Sequence, residues 1–194
     1  FLDHVAHNAD GLYILGDLFE AWVGDDDDCP FVAQVQSTLK AYAELTPIYF
    51  IHGNRDFILG PDWAQKAHIN LINDPTPLTI DGHTYLLSHG DALCTDDEAY
   101  QAFRLQARNP AWQQAMLAQP LAARKALAAK IRQQSEHDKQ GKADYIMDVN
   151  TDAVHQLLQT HSYPTLIHGH THRPAQHTHT VDAQTCLRLV LPDW

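Results

Sequence analysis

The sequence has little of what marks a disulfide-rich, zinc-knuckle or membrane-spanning protein. Its three cysteines, Cys29, Cys94 and Cys186, are far apart and odd in number, which argues against a disulfide framework and favours a reducing compartment such as the cytoplasm. None lies in a CxxC pair, so a structural zinc site is not expected. No apolar run approaches the ~20 residues that a membrane span needs. The 194 residues are 44% hydrophobic, which instead predicts a single domain with a sizeable core.

Positive charge is scarce outside one segment. The chain has 13 Lys and Arg against 24 Asp and Glu, a formal net charge of −11. The segment 99–142 holds eight of the basic residues and only two carboxylates, so it carries +6 and the remainder carries −17. General nucleic-acid binding is not expected of so acidic a chain. The basic segment is a local patch that needs its own explanation.

Short apolar runs alternate with stretches of helical periodicity. The stretches 31–45 and 149–161 have the helical spacing, and Thr151 or Asp152 is the predicted N-cap of the second. An Asp81-Gly82 pair between strand-like flanks predicts a hairpin. Strands that alternate with helices favour a layered α/β domain. The predicted strands and the residues that follow them are LYILGD at 12–17, PIYFIHGNRD at 47–56, TYLLSHGD at 84–91, TLIHGHTH at 165–172 and CLRLVLPDW at 186–194.

Residues 96–134 differ from this pattern because they are rich in Ala, Gln, Leu and Arg. They predict consecutive helices, and Pro110 and Pro120 are expected at helix starts. We interpret the stretch of about 96–142 as a helical insertion in the α/β domain. Its apolar positions include Trp112, Met116, Leu117, Leu121, Leu127 and Ile131.

Polar side chains follow four of the predicted strands at the point where each strand ends. Asp17, the stretch 53–56 (GNRD), the stretch 89–91 (HGD) and the stretch 168–172 (HGHTH) all occupy such positions. In open α/β sheets, ligands bind outside the carboxyl ends of the strands. One of these motifs alone would be an ordinary turn, but four of them predict a single site.

Three histidines lie within five positions, at His168, His170 and His172. In an extended chain this spacing would put all three side chains on one face of a strand. A polar strand end exposed to solvent is one interpretation. A metal site is the other, because neutral imidazole is the commonest protein ligand for metals.

The motifs GDLFE, GNRD, SHGD and GHTHRP resemble, in this order, those of the calcineurin-like metallophosphoesterases. The resemblance implies a four-layer αββα sandwich with a helical cap insertion. The family's first motif, D-x-H, is not matched by Asp3-His4, so we expect the chain to begin inside the first helix of the fold. The first strand, with two expected metal ligands, and the C-terminal end would then be missing.

The resemblance also implies a site with two divalent metal ions. Asp17 would bridge the ions, while Asn54, His89 and His170 would hold one of them and His172 the other. His168 would be a packing residue or would support the metal ligands from behind. The mixed oxygen and nitrogen ligands suit Mn²⁺, which the resemblance favours, and are compatible with Fe or Zn.

Arg55 replaces the histidine that protonates the leaving group in many members of the family. A guanidinium does not donate a proton near neutral pH, but it can hold phosphate oxygens with two parallel hydrogen bonds. The alternative role of Arg55 is a salt bridge to Asp56. The acidic run 25–28 is interpreted as a solvated loop rather than a metal site. The implied catalytic residues are Asp17, Asn54, Arg55, His89 and His170.

Longer matches, among them HGDALCTDDEAYQAFR and LIHGHTHRPA, are similar to the branch that cleaves the pyrophosphate of a lipid-linked nucleotide sugar, UDP-2,3-diacylglucosamine. The resemblance implies attack of metal-activated water on the α-phosphorus, at the cytoplasmic face of the inner membrane. A phosphodiesterase for soluble nucleotides and a lipid- or nucleotide-binding pseudoenzyme are the alternatives. The basic apolar insertion predicts membrane contact, with Arg124 and Lys125 taking part. The implied substrate contacts are Asn54, Arg55, Asp97, Tyr100, Phe103, Arg132, Ser135, Lys139 (where relatives often have Asn), Lys142 and His170.

Overall fold

The computed structural model describes residues 2, 8–139, 146 and 148–193, and the chain divides into two compact units. Unit 1 comprises Phe1–Ile72 and Ala107–Glu136, and unit 2 comprises Asn73–Gln106 and His137–Trp194. The described residues form two β-sheets and six α-helices, which confirms the expected mixed α/β class. The helices are α1 (Pro30–Ala43), α2 (Pro61–Lys66), α3 (Glu98–Ala107), α4 (Pro110–Leu117), α5 (Leu121–Lys139) and α6 (Thr151–Thr160).

Unit 1 is built on a three-stranded parallel sheet in the order β1-β2-β3. Its strands are β1 (Leu12–Ile14), β2 (Ile48–Phe50) and β3 (Ile69–Leu71), and α1 and α2 form the two crossovers between them. Because the strands are parallel, the loops that follow β1 and β2 leave the same edge of this sheet. Those two loops carry the GD and GNRD motifs.

The core of unit 1 includes part of the helical segment. Ile48 and Phe50 are fully buried, and Phe19 and Trp22 pack with Trp63 in an aromatic cluster beside them. Met116 of α4 belongs to the same core. The apolar positions predicted for the insertion therefore serve ordinary packing in part.

Unit 2 contains a five-stranded mixed sheet in the order β4-β5-β6-β8-β7. The hairpin between β4 and β5 is confirmed, since Asp81 and Gly82 both have positive φ (49° and 79°) as the tightest hairpin turns require. The N-cap prediction for α6 was wrong. Asn150 is the N-cap, because its side chain accepts hydrogen bonds from the backbone N–H groups of Asp152 and Ala153. The strands are β4 (Thr76–Ile80), β5 (His83–Ser88), β6 (Thr165–His168), β7 (Ala175–Val181) and β8 (Gln184–Val190).

The three clustered histidines do not share one strand face. Strand β6 ends at His168, and His170 and His172 follow with left-handed backbone angles, φ 64° and φ 53°. The extended-spacing interpretation was therefore wrong, because the chain turns immediately after Gly169.

The acidic run 25–28 is a partly exposed loop, as expected, and its carboxylates also make specific contacts. Asp25 accepts the backbone N–H groups of Gly60 and Trp63 at the start of α2. Asp26 binds Arg124, and Lys125 pairs with the last two carboxylates of the run, Asp27 and Asp28. Two of the eight basic residues of the segment 99–142 are thus paired with carboxylates of unit 1.

This pairing argues against a membrane contact for Arg124, whereas the contact expected of Lys125 stays a prediction. Arg124 is only 4% exposed, and both of its N–H edges are occupied by Asp26 and by the carbonyls of Val23 and Gln119. Among the described residues, no helix has both the length and the apolar composition to cross a bilayer.

Candidate metal and substrate site

Asp17 and Gly53 approach each other closely in unit 1. Asp17 lies just after β1 with a left-handed backbone, φ 55°, and its Oδ1 accepts the backbone N–H of Arg55 at 2.9 Å. A Cβ on residue 53 would lie 2.1 Å from Asp17 Oδ1. The glycine of the GNRD motif is therefore required for the carboxylate of the GD motif to occupy this position.

Asp56 fixes the two loops to each other. It is fully buried and accepts the backbone N–H groups of Gly53 at 2.8 Å, Leu18 at 2.7 Å and Asp17 at 3.3 Å. Sequence reasoning treated Asp56 only as a possible partner of Arg55. Its position as the last residue of the GNRD motif could have marked Asp56 as important. The sequence does not show, however, from which N–H groups it accepts hydrogen bonds.

The side chain of Arg55 lies against Asp17 and Glu20. Its Nη1 donates to Glu20 Oε2 at 2.7 Å, and its Nε is 3.5 Å from Asp17 Oδ2. Arg132, another predicted substrate residue, reaches the same Glu20 oxygen at 3.0 Å. Two predicted substrate-contacting side chains of unit 1 are thus brought together by Glu20, a residue that the sequence did not point to.

In unit 2, His89 and His170 form a pair of adjacent imidazoles. Their ring centroids are 5.0 Å apart, and a nitrogen of one ring lies within 4.8 Å of a nitrogen of the other. Burial, followed by the proximity of His89, lowers the pKa of His170 to about 3. The His170 ring is therefore neutral at pH 7, which is the form that binds metals.

Asp91 ends the HGD motif and was not selected as a site residue. Its buried carboxylate accepts the hydroxyl of Tyr100 at 2.7 Å and Nε of Arg104 at 2.8 Å. Burial alone would raise the pKa of Asp91, but His89 and Arg104 outweigh it and lower the pKa to about 2. Tyr100 in turn faces His170, with ring centroids 5.7 Å apart.

His172 and His168 lie in different surroundings. His172 is 40% exposed and its Nδ1 lies 2.9 Å from Asp193 Oδ2. His168 is fully buried, its Nε2 lies 3.1 Å from Arg188 Nη1, and a Cβ on residue 90 would come 2.7 Å from its Nδ1. This environment agrees with the packing role expected of His168.

The remaining predicted substrate residues lie on or beside α3 and α5. Asp97 accepts the backbone N–H of Tyr100 at 3.1 Å, near the start of α3. Phe103 is half-buried on α3, and Ser135 is exposed on α5. Lys139 is the last residue of α5, and Lys142 lies outside the described residues.

The donors in each unit fit divalent metal ions. Unit 1 offers the carboxylate of Asp17 and the amide of Asn54 in loops that leave one sheet edge, and unit 2 offers the paired imidazoles of His89 and His170. Oxygen and imidazole donors without thiolates suit Mn²⁺, Fe²⁺ and Zn²⁺.

Carboxylate, amide and imidazole donors that follow parallel strands are the ligand types that a metal-dependent phosphoesterase needs. The chain belongs to the calcineurin-like phosphoesterase family, whose sequence signature matches residues 1–174. This confirms the resemblance seen in the four motifs.

Within this family the chain is similar to enzymes of one specificity. It is 55% identical over 195 residues to the UDP-2,3-diacylglucosamine hydrolase of Aromatoleum aromaticum, covering 100% of the chain and 80% of that protein. It is 56% identical over 185 residues to the hydrolase of the same name from Chromobacterium violaceum, covering 94% of the chain and 76% of that protein. The corresponding protein of Cellvibrio japonicus is 50% identical over 195 residues, covering 100% of the chain and 81% of that protein.

Proposed function

We propose that this chain hydrolyses the pyrophosphate bond of UDP-2,3-diacylglucosamine, giving UMP and 2,3-diacylglucosamine 1-phosphate. The observation that carries the proposal is the extent of the similarity. The match to a hydrolase named for this substrate covers the whole chain at 55% overall identity, so the helical segment lies within the matched region. A family member with a different substrate would be expected to diverge in that segment.

For the metals, we propose that Asn54, His89 and His170 hold one divalent ion and that Asp17 is shared with a second ion held by His172. Mn²⁺ is the proposed metal. When bound, two such ions neutralise a pyrophosphate and lower the pKa of coordinated water. The support for this arrangement is the family motif pattern together with the donor types in each unit.

The residues of the chain prepare this chemistry. The backbone N–H of Arg55 donates to one oxygen of Asp17 and so fixes the orientation of this carboxylate. Burial keeps His170 neutral at pH 7. The guanidinium of Arg55 lies 3.5 Å from Asp17, where it can orient phosphate oxygens that approach the carboxylate.

The proposed contacts of the acylated sugar come from α3 and α5 and from the residues around them. They are Asp97, Tyr100, Phe103, Arg132, Ser135, Lys139 and Lys142. Exposed leucines on the same helices and on α4 support contact with acyl chains or a lipid surface, the most exposed being Leu105 at 78%. We accordingly place the enzyme at the cytoplasmic face of the inner membrane as a peripheral protein.

Arg55→Lys is expected to lower turnover by at least about tenfold, equivalent to ~1.4 kcal/mol. Lysine supplies a point charge but not the planar fork that binds two phosphate oxygens. Metal content, measured by elemental analysis, should not change. Wild-type turnover in the variant would assign Arg55 a structural role on Glu20 and Asp17.

The proposed function is tested by comparing diacylated, shorter-chain and unacylated UDP-sugars as substrates. We expect kcat/KM to fall progressively as the acyl chains shorten, because each buried CH₂ contributes ~0.8 kcal/mol. The released nucleotide should be UMP in every case. Equal hydrolysis of the unacylated and diacylated sugars would favour the soluble-nucleotide alternative.

A further inference from the structure

Helix α3 buries little apolar surface of its own. Of its ten residues, only Ala107 is fully buried, and Leu105 is 78% exposed. Apolar packing therefore contributes little to holding this helix in place. Something else must fix the helix if its residues are to contact a substrate reproducibly.

Asp91 supplies that attachment from a separate element. It opens a short 3₁₀ turn after Gly90, and its side chain is fully buried. The carboxylate binds Tyr100 and Arg104, which are four residues apart and so lie on one face of α3. The main-chain carbonyl of Asp91 also accepts Nε2 of Gln101 at 2.8 Å.

These contacts determine both the position of α3 and its rotation about its axis. Gln101 Nε2 makes a further hydrogen bond to the carbonyl of Cys94 at 3.0 Å, so the helix is attached along the whole turn that follows His89. The same contacts also fix the orientation of the Tyr100 ring. With its hydroxyl bound to Asp91, that ring lies beside His170 at an interplanar angle of 31°.

We propose that Asp91 is a positioning residue that attaches the substrate-contacting helix α3 to the loop that carries His89. The inference rests on the proposed function for the identity of the substrate, but the attachment itself is a property of unit 2. Asp91 would act through Tyr100 and Arg104, without touching the substrate. Its loss should weaken binding of the acylated sugar and leave the chemical step nearly unchanged.

The test compares Asp91→Asn and Tyr100→Phe with the control Tyr163→Phe. Tyr163 donates to Asp182 Oδ2 at 2.7 Å, the same distance as the Tyr100–Asp91 bond, but on an exposed surface of unit 2. We expect KM for the diacylated substrate to rise about tenfold in Asp91→Asn, which loses a charge-assisted bond, and about threefold in Tyr100→Phe. In Asp91→Asn kcat should stay within about twofold, metal content should stay unchanged in both variants, and the control should match wild type.

Hydrogen exchange separates failure of this inference from failure of the proposed function. Amide protection over residues 99–106 should fall in Asp91→Asn and remain in Tyr163→Phe, whatever the substrate of wild type. If the wild-type chain does not hydrolyse the diacylated sugar, the proposed function fails, and exchange alone decides the role of Asp91. Unchanged KM with unchanged protection would overturn the inference. A fall in kcat that accompanies loss of metal would overturn it as well, since Asp91 would then support His89 rather than α3.

Discussion

His170→Ala is expected to lose more than about 100-fold in turnover, because changes even to the outer partners of metal ligands cost 10–100-fold. It should also lose more bound metal than His172→Ala in this 194-residue chain. His170 lies beside His89 in a buried environment that keeps its ring neutral. His172, by contrast, is 40% exposed and its Nδ1 is already engaged by Asp193. Metal per chain, measured by elemental analysis after loading with Mn²⁺, tests the difference.

The matched control for these variants is His83→Ala. His83 is an exposed histidine at the start of β5 in the same unit, so its removal should change neither metal content nor turnover. Circular dichroism should give the same spectrum for all three variants. Equal metal losses in His170→Ala and His172→Ala would contradict the proposed assignment of the two residues to different ions.

The strand-end positions of the proposed ligands could be predicted because they depend on local patterns. A short apolar run followed by Gly-Asp or Gly-Asn indicates where a buried strand stops, and the structure places Asp17 and Asn54 just beyond β1 and β2. His89 likewise follows β5, and His170 follows β6. These positions require no knowledge of what lies across the fold.

Long-range partners could not be predicted, because they join residues far apart in the sequence. Asp56 accepts N–H groups 37 to 39 positions away as well as that of nearby Gly53. The left-handed backbone conformation of His170 could not be predicted either, since the same sequence is compatible with an extended strand. The count of charges in segment 99–142 was also a poor guide to its surface. A sum of basic residues does not show which of them form ion pairs with carboxylates elsewhere in the chain.

Arg124 is the clearest such case, and Arg124→Ala is expected to lower the free energy of unfolding by about 2–3 kcal/mol. Breaking a buried ion pair typically costs about 3–5 kcal/mol, but Asp26 is 64% exposed and can be rehydrated. The carbonyls of Val23 and Gln119 lose their donor in the variant. Gly24 is part of the same arrangement, since a Cβ there would lie 2.1 Å from Arg124 Nη1. Urea denaturation measures the change.

The control is Lys130→Ala, since Lys130 is an exposed basic residue on the same helix α5. This substitution should change the free energy of unfolding by less than about 0.5 kcal/mol.

The effect of Arg124→Ala should also depend on pH. The hydrogen bond from Arg124 lowers the pKa of Asp26 below its usual 3.8, so the pair stabilises the fold fully above that value and its contribution is lost as the pH falls through the lowered pKa. The difference between wild type and variant should therefore narrow in strong acid. If Arg124→Ala costs no more than Lys130→Ala at pH 7, the pair of Arg124 with Asp26 does not stabilise the fold. Weaker vesicle binding by a variant of unchanged stability would instead assign Arg124 to a membrane surface.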